Sequence, residues 1–215
     1  MQRLEQMHVV PDVLPYLNPV ADISIKFGRH TIQPGAFVES RISERPAKLS
    51  VQLMESGEKL VTIAVIDADV PNIETDMFEH RCHFLASNVS LSPTSPDIAL
   101  ANLEESQVVF PWMPPHAQKG SPYHRLAILI MEQPGKQAID VKACQEKHKR
   151  LGFNLRGFNN QHKISPLTGT LFRNIWDEST KAVMERTGLE GADIELKPKK
   201  PEALPYKKKD GSRYR

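Results

Sequence analysis

The chain has 215 residues, of which 40% are hydrophobic and 25% charged, and its formal net charge at pH 7 is +2. This composition is typical of a soluble globular protein and excludes a wholly disordered chain. The apolar runs are much shorter than the roughly 20 residues of a transmembrane helix, so we expect no membrane span.

The N-terminal residues show no regular apolar period. Residues 1–20 are rich in proline and apolar side chains, and we expect an extended arm. The segment Met1–Met7 lacks the apolar core of a secretory signal and the arginine content of a mitochondrial presequence. Any import signal is therefore expected to have been removed or to lie outside this sequence.

The following region shows the apolar patterns of strands. Strands are predicted at Asp22–Gly28, Lys48–Met54, Leu60–Asp69, Arg81–Leu91, Val108–Trp112 and Leu126–Gln133. The second and third are separated by a polar turn at Gly57, so we expect them to pair as a hairpin. Strands at this spacing indicate a β-sandwich or barrel.

Helical patterns begin after the last of these strands. Helices are predicted over Val141–Leu151, over Phe153–His162 and over a segment that ends near Thr187, with a strand at Thr168–Trp176. Asp140 and Asp177 can cap the first and third helices, and Gly188 fits the C′ position of the third. The fold class predicted is mainly β with C-terminal helices.

The positive charge is concentrated in Lys197–Arg215. This segment has eight basic and two acidic residues, so it carries +6 and the rest of the chain carries −4. Its prolines oppose regular structure. Cations interleaved with aromatic rings suit RNA phosphates and exposed bases, whereas a solvated, disordered terminus is the alternative. The candidate RNA-binding residues are Lys197, Lys199, Lys200, Lys207, Lys208, Lys209, Arg213, Arg215, Tyr206 and Tyr214.

Motifs for metal or nucleophilic chemistry are weak. His80, Cys82 and His83 are close in sequence, but side chains alternate faces along a strand, so one ion cannot take all three. We find no Gly-rich phosphate loop, CxxC pair, HExxH helix, nucleophile elbow or nucleophile–base pair. Cys82 and Cys144 are expected to be reduced, buried thiols. We predict no metal, no cofactor and no catalytic residue.

Polar residues cluster instead at the ends of the predicted strands. Asp67 and Asp69 end a buried strand before Pro71, His83 begins another, and His124 leads into a third. Carboxylates and histidines at the mouths of adjacent strands predict a small polar pocket. Each residue alone has a simpler interpretation, as a turn-capping aspartate or a structural histidine.

The order of these motifs resembles the phosphatidylethanolamine-binding protein (PEBP) family. The resemblance rests on Asp67–Pro71, His83-Phe84, Pro114-Pro115 and His124-Arg125, and it extends over about residues 21–187. It implies an antiparallel β-sandwich with C-terminal helices and a small pocket for phosphate-type headgroups and other anions. The matching pocket positions are Asp67, Asp69, Pro71, His83, Pro115 and His124.

The chain departs from the family pattern inside this pocket. Positions that are aromatic, glycine or tyrosine in the family are here Arg81, Pro111, Met113, Leu126 and Ser179. Fewer hydroxyl groups then remain to bind an anion, and the backbone is less accessible. Arg81 shares a strand face with His83, so we expect it to reach Asp67 or Asp69 and fill the site. The pocket is predicted to be a remnant without a small-molecule ligand.

Segments around the pocket resemble the members of this family found in the mitochondrial large ribosomal subunit of fungi. They are Arg3–Asp12, Phe110–Pro115, Gly120–Arg125 and Leu204–Lys208. The resemblance implies a ribosome-bound protein of the mitochondrial matrix. It would lie near the central protuberance, contact ribosomal RNA and other mitochondrial ribosomal proteins, and normally carry further N-terminal sequence.

These observations divide the chain into an N-terminal arm (1–20), a PEBP-like domain (21–190) and a basic C-terminal tail (191–215). The leading hypothesis is a structural ribosomal component that does not contact a membrane. The alternative is a free PEBP-like module that binds a phosphate-type or phospholipid headgroup ligand, or that regulates an enzyme partner.

Overall fold

The computed structural model of the protein describes residues 2–197 and 211–212. The helices are α1 Gln2–Gln6, α2 Val9–Asp12, α3 Ser40–Ser43, α4 Val141–Lys147, α5 Leu155–His162 and α6 Thr180–Arg186. The strands are β1 Ala21–Phe27, β2 His30–Ile32, β3 Lys48–Leu53, β4 Lys59–Asn72, β5 Met77–Leu91, β6 Asp97–Ala99, β7 Val108–Phe110, β8 His124–Glu132 and β9 Ser165–Asn174. Within this part of the chain, no helix has the length and apolar character needed to cross a membrane.

The strands form two antiparallel sheets, in the orders β2–β1–β3–β6 and β7–β5–β4–β8–β9. The central strand β4 is buried on both faces, which explains its continuous apolar sequence. Ile63 and Val65 belong to the core shared by the two sheets, whereas Ala64 and Ile66 belong to a second core. The predicted antiparallel β-sandwich with C-terminal helices is confirmed.

The second core lies on the outer face of the five-stranded sheet, under segments from both ends of the chain. It combines sheet residues such as Leu129 with N-terminal residues and with residues of α4, α5 and the loop between them. The N-terminal residues are Leu4, Val9, Val13, Leu14 and Leu17, and the later ones include Val141, Cys144, Phe153 and Phe158. The apolar sheet face therefore needs both groups to exclude water.

The prediction that residues 1–20 are extended is wrong for their first half. This segment forms α1 and α2, with His8 between them in a left-handed conformation (φ 55°). Its apolar residues are spaced to pack on the sheet, so the sequence shows no regular helical or strand period from which the helices could be predicted. The arm is thus a covering layer of the domain.

The predicted hairpin between the second and third strands is also wrong. β3 pairs with β1 and β6, whereas β4 pairs with β5 and β8 in the other sheet. The difference follows from burial, because β3 alternates buried and partly exposed residues while β4 is buried on both faces. The polar turn between them carries the chain from one sheet to the other.

The helix caps were predicted with mixed success. Asp140 caps α4, because its side chain accepts a hydrogen bond from the Ala143 amide at 3.1 Å. Asp177 is not the N-cap of α6, which begins at Thr180. Its carboxylate instead accepts hydrogen bonds from the amides of Ser40 at 2.7 Å and Ser179 at 2.8 Å, which ties the entry of α6 to α3.

Candidate functional site: a closed pocket on the five-stranded sheet

Three polar side chains from adjacent strands meet at one end of the five-stranded sheet. β4 contributes Asp67, β5 contributes His83 and β8 contributes His124, and β4 lies between the other two. His124 Nδ1 lies 2.7 Å from Asp67 Oδ2, and His83 Nε2 lies 3.6 Å from the same oxygen. The exposed fractions are 1% for Asp67, 0% for His83 and 2% for His124. The cluster of these three side chains is therefore nearly closed to solvent.

The charge state of Asp67 follows from these contacts. Burial alone would raise the pKa of this carboxyl group. The charge and hydrogen bond of His124, followed by the contact with His83, outweigh burial and hold the pKa well below its usual range. The carboxylate is ionised, so His124 Nδ1 and His83 Nε2 already face a negative charge.

His83 also holds the loop that follows β7. Its Nδ1 donates a hydrogen bond to the Met113 carbonyl at 3.0 Å, and the Met113 amide donates to the His83 carbonyl at 2.8 Å. Pro115, two residues later, is buried. The loop is thereby fastened to β5 beside the site.

Arg81 was predicted to reach the carboxylate of Asp67 or Asp69, but it contacts a different residue. Its Nη1 donates a hydrogen bond to His116 Nε2 at 2.8 Å, and His116 Nδ1 donates to the Pro114 carbonyl at 2.9 Å. Burial, followed by the nearby His83, lowers the pKa of His116 to about 3, so its neutral ring can accept from Arg81. The prediction that Arg81 pairs with Asp67 or Asp69 is wrong, because His124 and Arg125 take those carboxylates.

His116 had not been predicted as a site residue. The sequence feature that could have indicated it is its position directly after two prolines, which restrict the backbone of the loop and so the direction of the next side chain. Its ring centroid lies 5.6 Å from that of His83, so it closes the pocket as a packed aromatic side chain.

Asp69 forms a second ionic cluster beside the closed pocket. Its carboxylate accepts hydrogen bonds from Arg125 Nε at 2.8 Å and Nη2 at 2.7 Å, which is a bidentate arrangement. Arg125 Nη1 also donates to the Met7 carbonyl at 2.7 Å and to Asp12 Oδ2 at 2.8 Å. Arg125, which belongs to a quoted motif but was not predicted as a site residue, therefore fastens the N-terminal arm to the edge of the site.

Pro71 lies beyond this cluster and does not end β4, which runs on to Asn72. The pairing of β8 with β4 stops at Asp67, so a proline farther along removes no hydrogen bond to β8. Pro71 is opposite Phe78 on the extension that β4 and β5 form together. Its role at this position is structural.

The same site contains an arrangement that spacing alone did not reveal. Ser121 Oγ lies 3.3 Å from His124 Nε2, whereas Asp67 contacts the other ring nitrogen, Nδ1. Serine hydrolases have the same sequence of contacts, from aspartate to histidine to serine. The expectation that the chain has no nucleophile–base pair is therefore wrong, because a serine hydroxyl and a histidine ring nitrogen lie within hydrogen-bonding distance. The Ser121 hydroxyl, however, donates to the Gln118 carbonyl at 2.8 Å and is 9% exposed. These hydrogen bonds hold the loop on which Ser121 lies.

Comparison with known proteins assigns this arrangement to a family. A model described as phosphatidylethanolamine-binding protein matches residues 22–172. The chain belongs to this family. The resemblance drawn from the motifs is confirmed. The assignment of Asp67, His83 and His124 to the pocket of the family stays a prediction.

Two curated PEBP relatives have nearly equal identity. The "Large ribosomal subunit protein mL38" of Schizosaccharomyces pombe is 26% identical over 190 residues, which is 86% of this chain and 59% of that protein. The chain therefore spans less than two thirds of its length. The "Putative odorant-binding protein A5" of Drosophila melanogaster is 25% identical over 189 residues, 85% of this chain and 83% of that protein.

A solved PEBP structure shows the same fold. The phosphatidylethanolamine-binding protein from Plasmodium vivax superposes with a TM-score of 0.64 at 13% identity, over 82% of this chain and 97% of that one. Identity this low supports the architecture alone.

One candidate RNA-binding residue of the tail lies within the described residues. Lys197 is exposed at the end of the first described range. The other predicted contact residues lie outside the described residues: Lys199, Lys200, Lys207, Lys208, Lys209, Arg213, Arg215, Tyr206 and Tyr214.

Proposed function

We propose that this PEBP chain is a structural constituent of the large subunit of the mitochondrial ribosome, located in the matrix, and that it is not an enzyme. The observation that carries the proposal is its similarity to the large ribosomal subunit protein mL38 along 86% of the chain. We further propose that the pocket is degenerate and that ribosomal RNA and neighbouring ribosomal proteins are its partners.

The closed pocket favours this function over ligand binding. The identities to the two relatives, 26% and 25%, are too similar to choose between a ribosomal and a small-molecule-binding protein. In the buried cluster, the ionised Asp67 already satisfies His124, and an incoming anion would have to displace it. That exchange costs desolvation of the incoming anion, leaves the buried Asp67 carboxylate without its partner and breaks the short hydrogen bond to His124.

The charge distribution supports contact with RNA. The segment Lys197–Arg215 carries +6, whereas the rest of the chain carries −4. Binding of a cationic segment to phosphates is favourable because it releases counterions. An acidic body is repelled by the phosphates and so does not compete with the tail for the RNA surface. The domain thus provides a rigid platform and the tail provides the candidate RNA-binding groups.

Gradient sedimentation tests the proposed function. The epitope-tagged chain, expressed in cells and recovered from lysed mitochondria, should travel with the large subunit after the two subunits are separated at low magnesium. Nuclease treatment of the same sample should return it to the top of the gradient. Migration as a small free protein in the untreated sample contradicts the proposal.

Calorimetry tests the pocket separately. We expect no measurable heat when phosphate or phosphoethanolamine is added to the purified chain at millimolar concentration. Binding that is lost in Asp67→Ala would support the alternative, a free PEBP-like module with a functional headgroup pocket. This result is independent of whether the chain sediments with the ribosome.

A further inference from the structure

Helices α4 and α5 bring together three side chains of the types that bind transition metals. Cys144 lies on α4, His148 follows as its C-cap, and His162 is the last residue of α5. One donor atom from each residue lies within 4.8 Å of the others. Cys144 Sγ and His162 Nε2 are 3.8 Å apart. This cluster is distinct from the closed PEBP pocket and has no role in the function proposed above.

His148 supplies an independent observation at the same place. Its Nε2 atom is buried and has no hydrogen-bond partner among the described residues. Such groups are rare in native proteins, because an unsatisfied buried nitrogen costs about 1–3 kcal/mol. The ring is held by edge contacts with Phe153 and Phe158, at centroid distances of 5.8 and 5.4 Å. A bound ligand for this nitrogen would remove the cost.

The protonation chemistry of the cluster suits a metal cation. Burial lowers the pKa of His148 and of His162, which favours the neutral rings whose lone pairs can bind a cation. Burial raises the pKa of the Cys144 thiol, and the nearby Asp140 adds to this effect. A bound metal ion would favour the thiolate form of Cys144 over the thiol, because coordination displaces the thiol proton.

We propose that Cys144, His148 and His162 form a zinc site that joins α4 to α5. One thiolate and two imidazoles are ligands that Zn²⁺ favours, with bonds of about 2.3 Å to sulfur and about 2.0–2.1 Å to nitrogen. The sulfur–nitrogen separation of 3.8 Å is close to the span that a tetrahedral centre requires. His148 and His162 are partly exposed, so a water molecule can supply the fourth ligand.

The site would act as a structural clamp. Cys144, Phe153 and Phe158 belong to the core on the outer face of the five-stranded sheet, and α4 and α5 are short helices of seven and eight residues. A cation held between them would stabilise this layer, since a ligand that binds only the folded state raises its stability. Sequence spacing did not reveal the site, because Cys144 and His162 are 18 residues apart.

Cobalt substitution tests the proposal directly. The purified full chain, stripped with a chelator and titrated with Co²⁺, should develop the near-ultraviolet absorption of a cobalt–thiolate bond, and Zn²⁺ should abolish it. Cys144→Ser should remove this band. His148→Asn and His162→Asn should each weaken Zn²⁺ binding by at least about tenfold, since losing even a residue that supports a ligand costs about 10–100-fold.

Cys82→Ser is the matched control, because Cys82 is the other cysteine of the chain. Burial raises the pKa of Cys82 to about 12, and this variant should keep the cobalt band. Absence of the band in the unaltered chain, its survival in Cys144→Ser or its loss in Cys82→Ser would overturn the proposal.

Folding of each variant is checked by circular dichroism. If Cys144→Ser does not fold, the decision rests on the unaltered chain and on His148→Asn. Added Zn²⁺ should raise the Tm of the unaltered chain and leave that of His148→Asn nearly unchanged. An equal shift in both, or none in the unaltered chain, contradicts the site.

Discussion

At the scale of single residues, Asp67 links the closed pocket to the stability of the fold. Its pKa in the folded protein is lowered, whereas an aspartate in the unfolded chain titrates near pH 3.9, a typical value for an unperturbed side chain. A lowered folded-state pKa stabilises the native state fully above the unfolded value. This stabilisation is lost as the pH falls below about 3.9 towards the folded-state pKa.

Asp67→Asn should therefore remove both the stabilisation and its acid dependence. At about pH 6 we expect the variant to be less stable by about 3–5 kcal/mol, because the two buried imidazoles lose the carboxylate that they contact. Between about pH 5 and pH 2 its free energy of unfolding should fall less steeply than that of the unaltered chain. Urea unfolding across this range measures both effects. Asp22→Asn, at an exposed position of β1, is the control, and equal acid slopes for Asp67→Asn and this control contradict the argument.

Arg125 gives a second prediction at the residue scale. Its guanidinium group binds Asp69 through two nitrogens and the arm through the Met7 carbonyl and Asp12. Arg125→Lys keeps the charge but cannot reproduce this fork, so we expect a loss of about 1.5–3 kcal/mol. Hydrogen exchange should accelerate at the amides of α2. Arg3→Lys, on the exposed side of α1, should leave both measurements unchanged, and similar effects of the two substitutions would remove Arg125 from its proposed role.

At the scale of elements, local patterns predicted the strands better than their partners. The alternation in Lys48–Leu53 and the continuous apolar run of β4 identify each strand by itself. Which sheet a strand joins depends on contacts far away in sequence, and this is why the hairpin between β3 and β4 was predicted wrongly. The N-terminal helices were missed for the same reason, because their apolar residues follow the shape of the sheet they cover.

The N-terminal arm should behave as part of the core. Leu14 is buried in the core on the outer face of the sheet, whereas Tyr16, two residues later, is 63% exposed. Leu14→Ala should cost about 2–5 kcal/mol, as for other large-to-small core substitutions. Tyr16→Ala is the matched control and should change stability by less than about 0.5 kcal/mol. Similar costs in urea unfolding at the two positions would show that the arm does not share the core.

At the scale of the whole molecule, the candidate site could be predicted only in outline. The order of motifs indicated that Asp67, His83 and His124 lie together, and their side chains do meet. Only His124 lies at a strand end, because β4 and β5 both extend past the site. The partners that close the site could not be predicted. His116 and Ser121 reach it through the path of a loop, which no local pattern specifies.

The division of charge leads to a prediction about RNA binding by the complete chain. If the tail docks on ribosomal RNA, each of its cations that contacts a phosphate contributes about 0.7–0.9 to the slope of log affinity against log salt. Replacing Lys207 and Lys208 by glutamine should therefore lower this slope by about 1.5 and weaken binding at low salt. Filter binding to purified large-subunit RNA over a range of salt concentrations measures the slope.

A matched pair on the folded body separates a tail effect from a general loss of charge. Lys26 and Lys48 are exposed on β1 and β3, and replacing both by glutamine removes the same two charges. Because the body carries −4 and the tail +6, we expect this control to leave the slope almost unchanged. Equal reductions from the two pairs would show that the RNA contacts are spread over the sandwich, and the tail would then lose its assigned role while the ribosomal assignment would stand.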